Sequence, residues 1–361
     1  RIWRGLDAEI ENETGFVEAG IIYVVGTEKE LTQYEAWIEH AQQYQLDTHF
    51  VGREGLKELL PEVQADYLGA LYTPSDGRAE PAEAAPAIAT AVQRQGATVL
   101  TGCAVRGLET MGGRVSAAVT ERGTISCSAV LLTGGAWSSL FLKRHGIVFP
   151  QLKVRSSVMC TTEGPQVTPG GLWGPDFGIR RRSDGKYTLS RGGPSTFYLV
   201  PDAFRWFGKF WNALLAERKK LEISLGRHFV DELIQDTRWS FDAESPFERT
   251  RILDPPPDRE MLDDALASLK RRFPLLRDLE PEQTWAGMVD VTPDGLPCIA
   301  PMDEISGLFL ASGFSGHGFG IGPGAGKLAA ELVSGATPCV DPAPFRHSRF
   351  FDGTRLAPDG L

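Results

Sequence analysis

The chain has 361 residues, of which 42% are hydrophobic and 23% are charged, a balance typical of one large folded domain or two intertwined ones. Its net charge of −10, with no basic run longer than Arg180–Arg182, argues against nucleic acid as a partner, because binding phosphates requires a concentrated basic face. Five scattered cysteines without a CxxC pair predict neither a disulfide framework nor a metal site, and they favour a reducing, cytoplasmic compartment.

No segment is predicted to span a membrane. The longest uncharged stretch near the C-terminus, residues 305–326, contains eight glycines and one proline, which does not suit an apolar helix of ~20 residues. No signal peptide is recognised. Because the chain starts at Arg1 and residues 1–6 have the pattern of a helix end, we expect the natural N-terminus to lie upstream.

The first 75 residues are predicted to be scaffold. A β-branched and aromatic run over Gly15–Val25 predicts a strand pair. Thr27 and Glu30 have the spacing of a capping box, and apolar residues at helical period follow as far as Gln45. A second, short helix is expected over Glu54–Leu60, ended by Pro61.

The organisation changes at Asp76. The elements expected from there are a helix over 81–95 capped by Gly96, a strand over 98–100, a hairpin over 105–119 turned at Gly112–Gly113, and a strand over 129–132. A helix that runs to about His145 is expected directly after this strand, and it is preceded by Thr133, Gly134, Gly135 and Trp137. A strand, glycines and a helix N-terminus in this order are typical of doubly wound sheets that bring backbone N–H groups to a cofactor.

A block rich in Trp, Phe and Arg then interrupts this pattern. Its predicted elements are strands over 154–160 and 186–189 and helices over 206–221 and 258–273. The glycine-and-strand pattern returns with Trp285–Met288, the turn Thr292–Pro297, a strand over 308–311 and a last helix over 325–333. We therefore predict two discontinuous domains, a cofactor domain over 76–147 and 285–338, and a substrate or cap domain over 1–75 and 148–284.

The most informative segment is Gly313–Gly326, which holds seven glycines in fourteen residues between a buried strand and an amphipathic helix. Such a segment indicates that the backbone approaches something closely. The helix N-terminus would favour a negative partial charge, and the N1/C2-oxygen edge of a reduced flavin matches this requirement.

Taken in order, the segments LLTGGAW, WAG…TPDGLP and GFSGHGFGIGPGAGK resemble the FAD-dependent D-amino-acid oxidase superfamily, in its glycine oxidase, sarcosine oxidase and D-amino-acid dehydrogenase branch. The resemblance covers nearly all of Asp76–Gly335. It implies an α/β fold, with an FAD-binding, Rossmann-like, doubly wound sheet and an inserted α+β substrate domain. The FAD-binding residues that it implies are Val105, Thr133, Gly134, Gly135, Trp137, Gly287, Gly313, Phe314, Ser315, Gly316, His317, Gly318, Phe319, Gly320 and Ile321.

The chain departs from this family at several positions. It lacks the GxGxxG fingerprint that grips the ADP half of FAD, so either a segment is missing or another chain supplies it. Gly287 stands where relatives tether FAD through a Cys, which implies non-covalent FAD. Val289 and Gly316 stand where glycine oxidase-like members have carboxylate-binding arginines. Gly320 replaces the oxygen-activating Lys of sarcosine oxidases, which favours a dehydrogenase that uses another electron acceptor.

A carboxylated substrate therefore needs a cation from elsewhere. The segment Phe177–Arg182 aligns with a family strand over the flavin face, and alternation puts Arg180 and Arg182 on one side and Arg181 on the other. Arg180 is the predicted substrate-binding residue, because its guanidinium suits a carboxylate. His317 is the second catalytic candidate, although a structural or main-chain role is also open for it.

These features predict an oxidoreductase that removes a hydride from the carbon next to an amine nitrogen of an amino acid or secondary amine and delivers it to flavin N5. One alternative is a 2-hydroxy-acid or polyol dehydrogenase of the same superfamily. Another is a non-catalytic subunit that has lost FAD. A partner subunit, and a location in the cytoplasm or at the inner face of the membrane, remain open.

Overall fold

The computed structural model describes residues 1–191, 195–217 and 221–357. Its helices are α1 (Ile2–Ile10), α2 (Glu28–Gln43), α3 (Arg53–Leu59), α4 (Pro81–Arg94), α5 (Ser138–Arg144), α6 (Pro201–Arg205), α7 (Phe207–Glu217), α8 (Arg227–Leu233), α9 (Pro246–Arg249), α10 (Arg259–Arg272) and α11 (Gly318–Ser334). Its strands are β1 (Val17–Glu18), β2 (Ile21–Val25), β3 (His49–Gly52), β4 (Gly69–Thr73), β5 (Gly77–Arg78), β6 (Val105–Met111), β7 (Arg114–Thr120), β8 (Gly123–Ser126), β9 (Val130–Leu132), β10 (Leu152–Glu163), β11 (Gly171–Trp173), β12 (Gly178–Arg181), β13 (Lys186–Ser190), β14 (Ser195–Tyr198), β15 (Leu221–Ser224), β16 (Pro281–Val291), β17 (Cys298–Pro301) and β18 (Leu308–Ser312).

The chain folds into two compact units, each of several segments. The first unit comprises Arg1–Val99, Ser157–Pro194 and Pro255–Ala286, and the second comprises Leu100–Ser156, Ser195–Asp254 and Gly287–Leu361.

The first unit is built on a sheet with the strand order β3-β4-β2-β11-β12-β13, followed by the second part of β10. The β2–β11 pair is parallel and its neighbours are antiparallel. Helix α10 places Leu262, Leu266 and Leu269 on one face at helical spacing. These leucines share a buried cluster with sheet residues such as Ile179 and Leu189, which makes α10 the helix that covers this sheet.

The second unit contains a three-layer α/β core. Its sheet has the order β17-β18-β9, with β9 parallel to β18. Leu308 and Leu310 of β18 share a buried cluster with Phe141 of α5. The opposite face of the sheet, which includes Ala311, packs against α11. Alternation along β18 therefore fills one core on each side of the sheet, as in a doubly wound fold.

The units group some residues differently from the predicted domains. Helix α4 belongs to the first unit, because its Ala87 and Ala91 pack against Leu6 and Ile10 of α1. Residues 148–156 and 195–254 belong to the second unit. The assignment of FAD binding to 76–147 and 285–338 stays a prediction.

Most of the elements expected from sequence are present. The Thr27 hydroxyl accepts from the Glu30 N–H at 3.2 Å, and the Thr27 N–H donates to the Glu30 carboxylate at 3.1 Å, which forms the expected capping box. Gly112 and Gly113 turn the β6–β7 hairpin with φ of 60° and 76°. None of the described helices is long and apolar enough to cross a bilayer.

Two sequence predictions on strands were wrong. The strands in Gly15–Val25 do not pair with each other, because β1 pairs with β5, and β2 lies between β4 and β11. Residues 98–100 form no strand, and no described strand pairs with them. The side chains of Val99 and Leu100 remain 39% and 48% exposed, so a local apolar run alone was insufficient.

Candidate functional site

The glycine-rich segment forms the first half of helix α11. The helix begins at Gly318, capped by His317, and not at Ala325 as predicted. Each interior glycine costs a helix about 1 kcal/mol relative to alanine, and Pro323 lies in the same stretch. Because this composition disfavours the helix itself, it indicates that something must approach the backbone closely.

The space beside the later glycines of this segment is open. A methyl group built on Gly322 or Gly324 would meet no atom of the described chain within 4 Å, apart from the helix's own backbone. The neighbouring side chains of Phe319 and Ile321 are 43% and 45% exposed. A flat ring system can lie against this surface, where the positive end of the helix dipole favours a negative partial charge.

The turn that leads into α11 requires the residues it has. Gly313, Ser315 and Gly316 all have positive φ, of 79°, 51° and 90°. A side chain on Gly313 would overlap the Cγ2 atom of Thr292. The Ser315 hydroxyl accepts a hydrogen bond from the Thr292 N–H at 3.3 Å, which helps to hold the less favoured backbone conformation.

The predicted cofactor segment at the end of β9 forms a second turn. Gly135 has a φ of 51° and starts a short 3-10 turn that ends at Trp137 and continues into α5. Thr133 is exposed, whereas Gly134 and Trp137 are half-buried. The Trp137 ring meets the edge of Phe247 at a centroid distance of 5.7 Å, so the indole is held by packing.

A hydrogen-bond cluster of Gly135, Gln151, Asp290, Ser312 and Gly313, here called the Asp290 cluster, joins these two turns. The Gln151 amide donates to the Gly135 carbonyl at 2.9 Å and to Asp290 Oδ2 at 3.0 Å. The same carboxylate oxygen accepts from the Gly313 N–H at 2.6 Å and from the Ser312 hydroxyl at 3.1 Å. Sequence reasoning named Gly135 and Gly313 but missed Gln151 and Asp290; a signal for Asp290 was its charge within the apolar run of β16.

The turn over residues 292–297 is fixed by a buried ion pair. Arg349 donates to both carboxylate oxygens of Asp294, at 2.8 and 3.2 Å, and to the Leu296 carbonyl at 2.8 Å. The two side chains are only 2% and 7% exposed. Because Thr292 of this turn packs on Gly313, the pair also supports the turn before α11.

Val289 and Gly316, the positions at which the resembling family carries arginines, lie next to each other in space. A Cβ atom on Gly316 would lie 3.9 Å from Cγ1 of Val289. Neither residue carries a charge, so this pair offers no cation to a substrate carboxylate.

The remaining predicted contacts are dispersed over the second unit. Val105 starts β6 and is 38% exposed. Gly287 lies in β16, where an added Cβ would meet no described atom within 4 Å. The backbone N–H of His317 donates to the Phe314 carbonyl at 2.9 Å, and its exposed ring lies at the start of α11. The catalytic assignment of His317 stays a prediction.

Arg180, in the first unit, forms an ion pair with Glu80. Its Nη1 donates to Glu80 Oε1 at 2.7 Å and to the Ala79 carbonyl at 3.2 Å. Arg78 reaches the same carboxylate oxygen at 3.1 Å, and the Glu80 side chain is 5% exposed. Sequence reasoning did not anticipate Glu80, and the role of Arg180 in substrate binding stays a prediction.

Arg191, just after β13, differs from its basic neighbours. Arg181 donates to the Gly164 carbonyl, and Arg182 pairs with Asp184. Arg191 is half-buried, and no hydrogen bond or ion pair joins it to another residue of the described ranges.

Comparison with known proteins agrees with this geometry. The family model "FAD dependent oxidoreductase" matches residues 1–332. The chain belongs to this family. The recognised superfamily and the cofactor FAD are thereby confirmed.

Two curated relatives show how much of a protein the chain represents. It is 24% identical over 355 residues to mouse (Mus musculus) mitochondrial sarcosine dehydrogenase, covering 96% of the chain and 34% of that protein. It is 22% identical over 359 residues to sarcosine oxidase subunit beta of Arthrobacter sp, covering 98% of the chain and 76% of that protein. The chain thus spans about a third of the length of the sarcosine dehydrogenase.

Among solved structures, the L-amino acid deaminase from Proteus myxofaciens, in complex with anthranilate, is similar with a TM-score of 0.92 and 32% identity. The match covers 97% of this chain and 79% of that one. The α/β fold expected from sequence is confirmed.

The residues present fit FAD. Gly322 and Gly324 leave an open surface on α11, and Asp290 accepts a hydrogen bond from the Gly313 N–H of the preceding turn. The helix dipole favours the electron-rich edge of a flavin. Gly318–Ile321 would hold the ring system, and the turn at Gly134–Gly135 would border it.

Proposed function

We propose that the chain is the FAD- and substrate-binding part of an enzyme that oxidises the C–N bond of an amino acid. The observation that carries this proposal is the open glycine surface of α11, held by the Asp290 cluster in a chain that matches the FAD dependent oxidoreductase family over residues 1–332. When bound, FAD supplies the acceptor for a hydride from the carbon next to the amine nitrogen.

The protein's own contribution is orientation. The glycines of α11 let a flat ring approach the backbone, and the two supported turns keep that surface in one conformation. Binding of an amino acid also requires a cation for its carboxylate. Val289 and Gly316 supply none, so we assign this role to an arginine of the 178–191 region.

Arg191 is the stronger candidate for that cation, and Arg180 is the second. A guanidinium without a protein partner retains its full capacity for a bidentate carboxylate contact. Arg191 has no partner among the described residues, whereas Arg180 is already bound to Glu80.

We propose a free L-amino acid as the substrate, rather than a secondary amine. The similarity to an L-amino acid deaminase, at 32% identity and a TM-score of 0.92, supports this choice.

The test is a substrate panel under anaerobic conditions, using the full-length protein with FAD. L-amino acids should bleach the yellow flavin band, whereas matched D-amino acids, sarcosine and 2-hydroxy acids should leave it. Bleaching by hydroxy acids alone would replace the proposal with the hydroxy-acid alternative. A protein that binds FAD but bleaches with none of these compounds would contradict the proposal.

We predict that FAD is bound without a covalent link. Gly287, at the position where relatives attach the flavin, has no side chain that could form the bond. Acid precipitation should therefore release all of the flavin into the supernatant, and a yellow pellet would contradict this prediction.

We also predict slow oxidation by oxygen. Gly320 lacks the cationic side chain that would stabilise developing superoxide at the flavin, so an acceptor other than oxygen is expected. The reduced protein should reoxidise much more slowly in aerated buffer than with a quinone or dye. Peroxide production at the turnover rate would contradict this expectation, and Gly320→Lys is the variant expected to accelerate the oxygen reaction.

We propose that the second unit also attaches the protein to a membrane surface, where a quinone acceptor would be available. The described residues of its segment 204–234 include many exposed large apolar side chains. They are Phe204, Phe207, Trp211, Leu215, Ile223, Leu225, Val230, Leu233 and Ile234. Arg205 and Arg227 of the same segment have side chains that are 59% and 90% exposed, and they form ion pairs with Asp202 and Asp231. Exposed aromatic and aliphatic groups accompanied by basic residues are typical of interfacial binding.

Co-sedimentation with phosphatidylglycerol-containing vesicles tests this attachment. The double variant Phe207→Ser/Trp211→Ser should lose most of the binding, whereas Met111→Ser, which changes another highly exposed apolar residue, should keep it. If the protein ignores vesicles but forms a stable complex that the double variant abolishes, the surface binds a partner subunit instead.

A further inference from the structure

The Asp290 carboxylate has an unusual environment for a charged group. One oxygen, Oδ2, accepts three hydrogen bonds, from the Gly313 N–H, the Gln151 amide and the Ser312 hydroxyl. The backbone carbonyl of Asp290 accepts a fourth, from the Ser315 N–H at 2.9 Å. Asp290 thus holds the turn before α11 at two points, through its side chain and through its main chain.

All three donors to the carboxylate are neutral. Within the ranges that the structure describes, no Lys, Arg or His forms an ion pair with Asp290. This distinguishes it from Asp294, four residues later, whose charge is neutralised by Arg349. The negative charge of Asp290 is therefore uncompensated next to Gly313.

The position of this charge gives it a consequence for the cofactor. Uptake of two electrons and one proton adds a negative charge to the ring system of FAD. A nearby carboxylate raises the free energy of that reduced form more than it raises that of the oxidised form.

We propose that Asp290 is a positioning residue that also sets the reduction potential of FAD, by keeping an uncompensated negative charge beside the turn that binds the flavin. The hydrogen bonds position the turn, and the charge lowers the potential. The inference requires that FAD binds at this turn; it does not depend on which amine is oxidised. A wrong substrate assignment therefore leaves it testable.

The two roles are separated by two variants. Asp290→Asn removes the charge but keeps the size of the side chain and one acceptor oxygen. Ser312→Ala keeps the charge but removes one donor to the carboxylate. Asp303→Asn, at an exposed site of the second unit, serves as the matched control for loss of a negative charge.

The measurement is equilibration of the full-length FAD-loaded protein with a reference dye under reducing conditions. In Asp290→Asn the ratio of reduced to oxidised FAD, measured at a fixed solution potential, should increase on the order of tenfold. This corresponds to a rise of about 30 mV in the reduction potential of a two-electron couple. Ser312→Ala should weaken FAD binding with little change in this ratio, and Asp303→Asn should change neither quantity.

A variant that binds FAD weakly can be tested by titration of the apoprotein. The ratio of the dissociation constants for oxidised and reduced FAD must change by the same factor as the redox ratio, because the two quantities are linked. An unchanged ratio in Asp290→Asn would overturn the electrostatic role. A shift in Ser312→Ala as large as that in Asp290→Asn would assign the effect to turn geometry and would also overturn it.

Discussion

Replacing Arg349 with methionine is expected to lower the free energy of unfolding by about 3–5 kcal/mol, because the change leaves the Asp294 carboxylate buried without its cation. The carboxylate would keep only the Leu296 N–H as a donor, at 3.3 Å, and the Leu296 carbonyl would keep only the Thr292 hydroxyl, at 2.7 Å. The Thr292–Leu296 turn would loosen, and with it the packing of Thr292 on Gly313. We therefore also expect weaker FAD binding, measured by denaturant unfolding of the apoprotein and by FAD titration.

The Arg346–Asp352 pair provides the matched control. It is an arginine–aspartate pair of the same C-terminal segment, but its side chains are 39% and 36% exposed. Arg346→Met should cost no more than about 1 kcal/mol, because water solvates the remaining charge. Equal losses in the two variants would contradict the importance assigned to burial, and Arg349→Met/Asp294→Leu should recover part of the lost stability.

Arg191→Met is expected to lower kcat/KM for a carboxylated substrate roughly 30- to 1000-fold, the effect of losing a charge-assisted bidentate contact from a closed site. Folding and FAD content should remain near normal, because no hydrogen bond or ion pair joins Arg191 to another described residue. Stopped-flow measurement of flavin bleaching gives the rate, and an amine substrate without a carboxylate should show little difference between the variant and the wild type.

Arg180→Met distinguishes the two arginine candidates. This change removes one of two cations from Glu80, which keeps Arg78 at 3.1 Å and the Ser183 N–H at 3.2 Å. We expect a stability loss of about 1–3 kcal/mol, with kcat/KM little changed. If instead Arg180→Met loses the catalytic efficiency and Arg191→Met keeps it, the substrate cation is Arg180, as its position in the sequence first suggested.

Features that depend on neighbouring residues could be predicted from the sequence. The capping box at Thr27, the hairpin glycines at 112 and 113, and the short helix ended by Pro61 are present because a few consecutive residues decide each of them. The glycine motif before the last helix also identified the family and its cofactor, because the close approach of a flat ring restricts residue types locally.

The start of α11 could not be predicted. Glycines and Pro323 disfavour a helix, and helix propensity alone places the start at Ala325. Packing of Leu328 and Ala329 against the β17–β18 sheet anchors the helix, and the hydrogen bonds around Gly313 orient the chain that enters it. Tertiary contacts therefore overcame an unfavourable local sequence.

The sequence alone predicted a flavin-binding surface at the glycine motif, and that assignment stays a prediction. Only the tertiary structure showed which hydrogen bonds hold the turn before α11 and which arginines are already paired. Asp290 accepts a hydrogen bond from Gln151, which lies 139 residues away in the sequence. Arg180 donates to Glu80, which lies 100 residues away. Such contacts depend on how strands and turns that are distant in the sequence come together, and local sequence patterns do not predict that arrangement. A polar or charged group removed from water takes whichever hydrogen-bond partner the fold brings within reach, because leaving it without one costs several kcal/mol.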